Sequence, residues 1–346
     1  MYIIRADGNA KTGAGHLMRC MTVAEELAEL EGSREGILFL CADGQSAALA
    51  REHGFRAVAL GTDYRDMEAE LPRWEEALRE SGASSVVLVD SYYVTEGYLK
   101  GLRRFGRVAL LDDLGLRAFP VDCVINYNAP ADRKAYERLY EGRGTRLVTG
   151  SSYVPVRRQF LNRSYQVRSR VKRVLITTGG GDVSNIARRI YEKIQAADKE
   201  YYLIAGQFNP HFRELKELEE RCENLHILHH VTDMAGLMEE CDAAVTAGGT
   251  TVYELAAVGV PFLCFSYAEN QEPLTEYVGE KEIGGFAGAY HREPEKTLDR
   301  LGRLFEELCG KEELRRRFSE TERSMIDGGG ARRLAEVLRE LAAGSR

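Results

Sequence analysis

The feature that most constrains this chain is its first turn. The apolar run Tyr2-Ile3-Ile4 is soon followed by Gly13-Ala14-Gly15-His16-Leu17-Met18-Arg19-Cys20. A glycine-rich loop that leaves a strand and opens a helix presents unpaired backbone N–H groups and the positive end of the helix dipole, which together favour an anion. The same field disfavours an imidazolium, so His16 is expected to act as a neutral base. Gly13 and Gly15 would then contact substrate through backbone.

The rest of the first half alternates short apolar runs with helical periodicity. Ile3–Arg5, Gly36–Cys41, Arg56–Leu60, Ser85–Asp90, Val108–Asp112 and Cys123–Asn126 are expected strands. Leu17, Met21, Ala24 and Leu27 recur at helical spacing. Runs apolar throughout, such as Val86–Val89, fit parallel strands covered on both faces. A basic, polar stretch over Pro155–Arg170 reads as a connection, with Arg157-Arg158 as solvated linker. A second strand–glycine–helix unit follows at Val174–Thr177 and Gly179-Gly180-Gly181-Asp182. Further strands are expected at Tyr202–Ala205, Leu225–His229, Ala243–Thr246 and Pro261–Phe265. Two charged amphipathic helices, near Lys311–Ile326 and Ala331–Leu341, close the chain, split by Gly328-Gly329-Gly330. The fold class is therefore α/β with two Rossmann-like doubly wound domains, residues 1–156 and 157–346, the last helix packing back on the first. Ligands of such sheets lie at the strands' carboxyl ends, so facing halves imply a central cleft.

Composition narrows the function. The chain has 346 residues, of which 44% are hydrophobic and 29% charged, with a formal net charge of -7. That balance argues against nucleic acid as a partner. No run of about 18 apolar residues suggests a membrane span. The chain goes directly into a strand without a signal-like segment. Its seven cysteines stand singly, with no C-x-x-C pair, as buried thiols of a reducing compartment do. A cytoplasmic monomer without cofactor is expected.

Three glycine turns stand at strand ends: Gly13/Gly15, Gly179–Gly181 and Gly248/Gly249. None carries the Walker Gly-Lys-Ser/Thr or a complete dinucleotide fingerprint, which demotes ATP and NAD. Within Gly248-Gly249-Thr250-Thr251-Val252-Tyr253-Glu254, glycines free backbone donors at a helix start and the threonines add hydroxyls, which suits a diphosphate. Glu254, one turn further in, is placed to accept from a ribose diol. The plainer alternative makes Thr250 an N-cap and Glu254 its capping partner. Asn270-Gln271 follow the next strand as amides suited to sugar or phosphate oxygens. His226, His229 and His230 cluster without a recurrent ligand offset, and alternation sends the last two to opposite faces, so no metal site is expected. Asp112-Asp113 read as a loop cap or as contacts to substrate hydroxyls. Arg19 is either a solvated helix residue or a charge reaching toward phosphate.

The Gly-x-Gly-His turn, the Thr178–Asp182 turn and the Gly-Gly-Thr-Thr-x-x-Glu helix with Asn270-Gln271 resemble the GT-B nucleotide-sugar proteins. Within them the chain is most similar to the UDP-2,4-diacetamido-2,4,6-trideoxy-β-L-altropyranose hydrolases of pseudaminic acid biosynthesis. Arg5-Ala6-Asp7, Gly13–Cys20, Asp90-Ser91-Tyr92, Asp112-Asp113, Asn126, Gly179–Asp182 and Ile326-Asp327-Gly328 carry that resemblance over nearly the whole chain. It implies that His16 activates water, with Tyr92 near the sugar and Asn270 beside the reacting region. It also implies that the Gly248–Thr251 turn holds the diphosphate, Glu254 the ribose and backbone near Val231 the uracil, with Gly180 and Gln271 as further substrate-binding residues. Related sequences often carry serine where Gly181 or Thr250 stands here. The expected activity is metal-independent hydrolysis of a UDP-sugar to UDP and free sugar with inversion. The alternatives are a GT-B glycosyltransferase using a UDP-sugar donor, or a nucleotide-sugar-binding protein without catalysis. A lipid-linked acceptor would call for an exposed apolar or basic patch on the first domain, and no such run precedes residue 150.

Overall fold

The computed structural model describes residues 1–9, 13–79, 86–206, 209–229 and 231–344. The chain divides into two compact units, Met1–Pro155 with the C-terminal segment from Gly329, and Val156–Gly328.

In the first unit the strands are β1 (Tyr2–Ala6), β2 (Ile37–Cys41), β3 (Arg56–Ala59), β4 (Val86–Asp90), β5 (Arg107–Leu111), β6 (Cys123–Asn126) and β7 (Arg146–Thr149). All pair in parallel, in the order β3-β2-β1-β4-β5-β6-β7. Every residue of β1, β2 and β4 is buried, as expected of strands with helices on both faces. The order reverses between β1 and β4, whose registers end together at Ala6 opposite Asp90. Loops leaving these two strands therefore open the crevice where doubly wound sheets bind ligands. Ser85, at the start of one expected strand, lies outside the described residues.

The second unit repeats the plan with β8 (Arg173–Thr177), β9 (Glu200–Ile204), β10 (Leu225–Leu228), β11 (Ala243–Ala247), β12 (Phe262–Ser266) and β13 (Gly285–Ala289), ordered β10-β9-β8-β11-β12-β13. Here the reversal falls between β8 and β11. Sequence reasoning missed β7 and β13. Both are edge strands, one short and polar, the other Gly-Phe-Ala-Gly-Ala, so neither carries the apolar run or alternation of a central strand.

The stretch read as a solvated connection packs instead onto the second unit. Phe160 and Tyr165 are buried, Arg163 donates to Glu239 at 2.9 Å and Arg168 to Asp242 at 2.8 Å. Helix Gly330–Ala342 packs on helix Gly15–Glu31 within the first unit. A side chain at Gly330 would overlap the Val154 backbone, which is why glycine stands at that entry.

One buried group strains the second unit. Glu322, on helix Glu312–Met325, is fully buried, and only the Phe262 backbone approaches its carboxylate, without well-formed hydrogen-bond geometry, among the described residues. Burial pushes its carboxyl well above the ordinary range, and the nearby Phe262 backbone and Arg323 charge offset this only in part. The folded chain thus holds a proton that the unfolded chain releases above about pH 4.3. Stability contributed by the protonated form is complete below that pH and is lost as pH rises toward the folded value. Glu322→Gln should therefore flatten the fall in melting temperature between mildly acidic and mildly alkaline buffers. At neutral pH the variant should lose the protonation cost that the buried carboxyl carries, and denaturant titrations at two pH values would read it.

Candidate active site

At the β1/β4 reversal, Gly13 takes φ +74° and its amide donates to the Asn9 carbonyl at 2.8 Å. The tight turn sets Gly15 as the exposed first residue of helix Gly15–Glu31, where no side chain caps the end. His16 follows it. Its Nδ1 lies 2.7 Å from Asp90 Oδ1, at the carboxyl end of β4. A carboxylate accepts only, so in the neutral ring the proton sits on Nδ1 and Nε2 keeps its lone pair. This is the arrangement of a general base with its orienting acid.

Asp90 is held by more than the imidazole. Arg19, one turn along the same helix, donates from Nε to Oδ2 and from Nη2 to Oδ1, both at 2.6 Å. Its Nη1 donates to Asp113 Oδ2 at 2.8 Å and to the Tyr127 hydroxyl at 2.6 Å. Burial alone would raise the Asp90 carboxyl, but Arg19 and His16 outweigh it and hold Asp90 well below the usual carboxylate range. Arg19 is thus neither solvated nor free to reach a phosphate. Tyr92 sets its ring edge against His16, with centroids 4.7 Å apart, and its hydroxyl donates to Asp113 at 3.1 Å. Asp112 caps its loop, accepting from the Leu114 and Gly115 amides at 3.2 Å. Four large apolar side chains of the first unit, Tyr92, Tyr93, Leu114 and Leu116, are exposed, on the loops after β4 and β5.

At the β8/β11 reversal lie the other two glycine turns. Asp182 accepts from the Ile186 and Ala187 amides at 2.7 and 2.8 Å, fixing the start of helix Ile186–Ile194. Gly180 packs so closely on Gly206 that a side chain at Gly206 would overlap both Gly179 and Gly180 backbone. After β11, the Gly248 amide donates to the Phe265 carbonyl and the Gly249 amide to Ala247. Helix Thr250–Val258 then begins, with Gly249 in the cap position and no side-chain cap. Thr250 is therefore not the N-cap. The Thr250 and Thr251 amides stand in the first turn, where no intrahelical acceptor reaches them. Gly249 has open space where a side chain would project, whereas one at Gly248 would overlap the Thr275 methyl.

Glu254 is not a capping partner either. Its Oε1 accepts from Arg157 Nε at 3.0 Å and Nη2 at 2.7 Å, and Arg157 lies 4.8 Å over the Phe160 ring. Burial raises the Glu254 carboxyl, partly countered by Arg157. The linker arginine is an ion-pair partner. Gln271 spends its Oε1 on the Tyr267 amide at 3.1 Å, while Asn270 is exposed in the 3₁₀ turn Glu269–Gln271. Val231 is a half-buried loop residue after β10. His226 pairs with Glu200 and His229 with the Ala205 carbonyl, while His230 lies outside the described residues.

Residues 178–283 match the model of a family described as a protein of unknown function, DUF354. The chain is 26% identical over 353 residues to the spore coat polysaccharide biosynthesis protein SpsG of Bacillus subtilis, covering 98% of this chain and 97% of that protein. It is 29% identical over 178 residues to the UDP-N-acetylglucosamine–N-acetylmuramyl-(pentapeptide) pyrophosphoryl-undecaprenol N-acetylglucosamine transferase of Bacillus pumilus, about half of each. Among solved structures, MurG of Acinetobacter baumannii superposes with a TM-score of 0.67 at 14% identity, over 98% of this chain and 99% of that one. The fold is GT-B. No helix of the described residues is long and apolar enough to cross a membrane.

The Asp90 network predicts its own fragility. Asp90→Asn removes one of the two carboxylates that pair with buried Arg19, Asp113 being the other, so it should destabilise the protein by about 1–3 kcal/mol in urea titrations. A loss under about 1 kcal/mol would mean that Arg19 finds its balance elsewhere.

Proposed function

We propose that the chain transfers the glycosyl group of a UDP-linked sugar to an acceptor hydroxyl in the synthesis of a surface polysaccharide. The observation that carries this reading is the His16–Asp90 pair at one sheet reversal, matched by an uncapped, glycine-led helix start at the other. His16 Nε2 takes the proton of the incoming hydroxyl as its oxygen attacks the anomeric carbon. Asp90 stabilises the imidazolium that forms. UDP leaves with its electron pair on the β-phosphate oxygen, and single displacement inverts the anomeric centre. The Gly248–Thr251 turn and the helix dipole stabilise the departing diphosphate. Glu254, oriented by Arg157, offers Oε2 to the ribose, and Val231 faces the uracil. Gly13, Gly15, Tyr92, Gly180, Asn270 and Gln271 complete the donor contacts. The similarity to SpsG and to an N-acetylglucosamine transferase supports this reading, as do the exposed Tyr92, Tyr93, Leu114 and Leu116 on the loops beside the base.

Hydrolysis of a UDP-linked 2,4-diacetamido-2,4,6-trideoxyhexose is the second reading, with water in place of the acceptor. The motif resemblance running from Gly13–Cys20 to Ile326-Asp327-Gly328 favours it.

One experiment separates the two. The protein is incubated with a panel of UDP-sugars, with and without polysaccharide acceptors, and the released anomer is followed by NMR. UDP release that requires an acceptor marks transfer, and release without one marks hydrolysis. His16→Ala should lower turnover about 10²–10⁴-fold while UDP affinity by calorimetry stays unchanged. Gly248→Ala should instead weaken UDP binding, because the turn must shift to clear Thr275. Absence of UDP binding by the wild-type chain would sink both readings.

A further inference from the structure

Arg19 donates into the same carboxylate that orients His16, and it stands close to the ring itself. Nη2 lies 2.6 Å from Asp90 Oδ1 and 3.2 Å from His16 Nδ1. The imidazole and the guanidinium thus converge on one oxygen. Which nitrogen of the ring carries the proton then depends on how that oxygen is held. With Oδ1 facing the ring, Nδ1 must be the donor and the lone pair falls on Nε2. Were the carboxylate to rotate away, Nη2 could donate to Nδ1 instead, the proton would move to Nε2, and the ring would have no lone pair to offer the nucleophile.

We propose that Arg19 is a positioning residue for the base. Its planar fork fixes the plane of the Asp90 carboxylate, and through it the tautomer of His16. A fork gripping both oxygens sets orientation in a way that a lysine's single ammonium cannot. The fork is itself anchored from three elements. Tyr127, just beyond β6, takes one hydrogen bond from Nη1, and its ring lies 5.4 Å from the guanidinium carbon. Asp113, beyond β5, takes another, and its own Oδ1 accepts from the Asn128 amide at 3.2 Å. Tyr92, beyond β4, donates to Asp113 Oδ2 and touches the His16 ring, so the network closes on itself. Cys20 Sγ also lies 3.5 Å from Asp90 Oδ2. The catalytic consequence of this assignment rests on the function proposed above, but the tautomer does not.

The test is ring ¹⁵N NMR of His16, assigned by the signal lost in His16→Gln, at a pH where the ring is neutral. The wild-type chain should show a protonated Nδ1 and an unprotonated Nε2. Arg19→Lys, which keeps the charge, should average the two nitrogens between tautomers and lower kcat about 10–100-fold, with KM for the donor within about two-fold. Arg19→Lys retaining the single Nδ1–H tautomer and the wild-type kcat overturns the assignment. So does a wild-type ring protonated on Nε2, which needs no variant to fold. If no UDP-sugar is turned over at all, the function fails while the tautomer comparison still decides the role of Arg19.

Discussion

The first unit depends on a carboxylate that cannot stand alone. Asp90 ends a strand whose other four residues are valines and leucine, and the sheet carries it out of water. An unpaired carboxylate there would cost several kcal/mol, so a cation must accompany it. Helix Gly15–Glu31 supplies that cation as Arg19, and the same helix brings His16 onto the same face one turn earlier. Base, orienting acid and counter-cation are thus a consequence of where one helix crosses the end of one strand. The glycine turn before the helix matters chiefly because it sets that crossing.

The two sheet reversals divide the chemistry by the physics of their loops. At the first, side chains dominate, in a buried cluster of alternating charge that includes a partly buried imidazole. At the second, backbone dominates, in glycines, a helix start without a side-chain cap, and first-turn amides. The first arrangement is suited to passing a proton; the second is suited to an anion. Glu254 belongs to neither extreme, since its carboxylate is raised by burial and tied through Oε1 to Arg157.

Much of this was legible in the sequence because its marks are local. Glycine spacing, apolar strand runs and helical periodicity are short-range patterns, and they give the two α/β halves and the placement of His16 and the Gly248–Thr251 turn at strand ends. What escaped is long-range or unpatterned. Asp90 lies 74 positions from His16 and Glu254 lies 97 from Arg157, so no spacing rule joins either pair. The arginines of the connection looked solvated because charge runs usually are, yet Phe160 and Tyr165 within the same stretch mark it as packed. The edge strands β7 and β13 lack the hydrophobic run that burial on both faces imposes elsewhere.

Choice of nucleophile is the remaining question, and it falls on the loops rather than the framework. In the proposed mechanism the His16–Asp90–Arg19 arrangement would serve either hydroxyl brought to Nε2, that of water or that of an acceptor. A site built only for water gains nothing from exposed apolar side chains beside its base, since they order no polar ligand and leave apolar surface in water. Tyr92, Tyr93, Leu114 and Leu116 are such side chains, on two loops joined through the Tyr92–Asp113 hydrogen bond. Covering them with the apolar part of a bound molecule would recover roughly 25 cal/mol for each Å² removed from water. Under the proposed transfer that gain would fall to the apolar part of whatever carries the hydroxyl and would leave the proposed proton transfer unchanged.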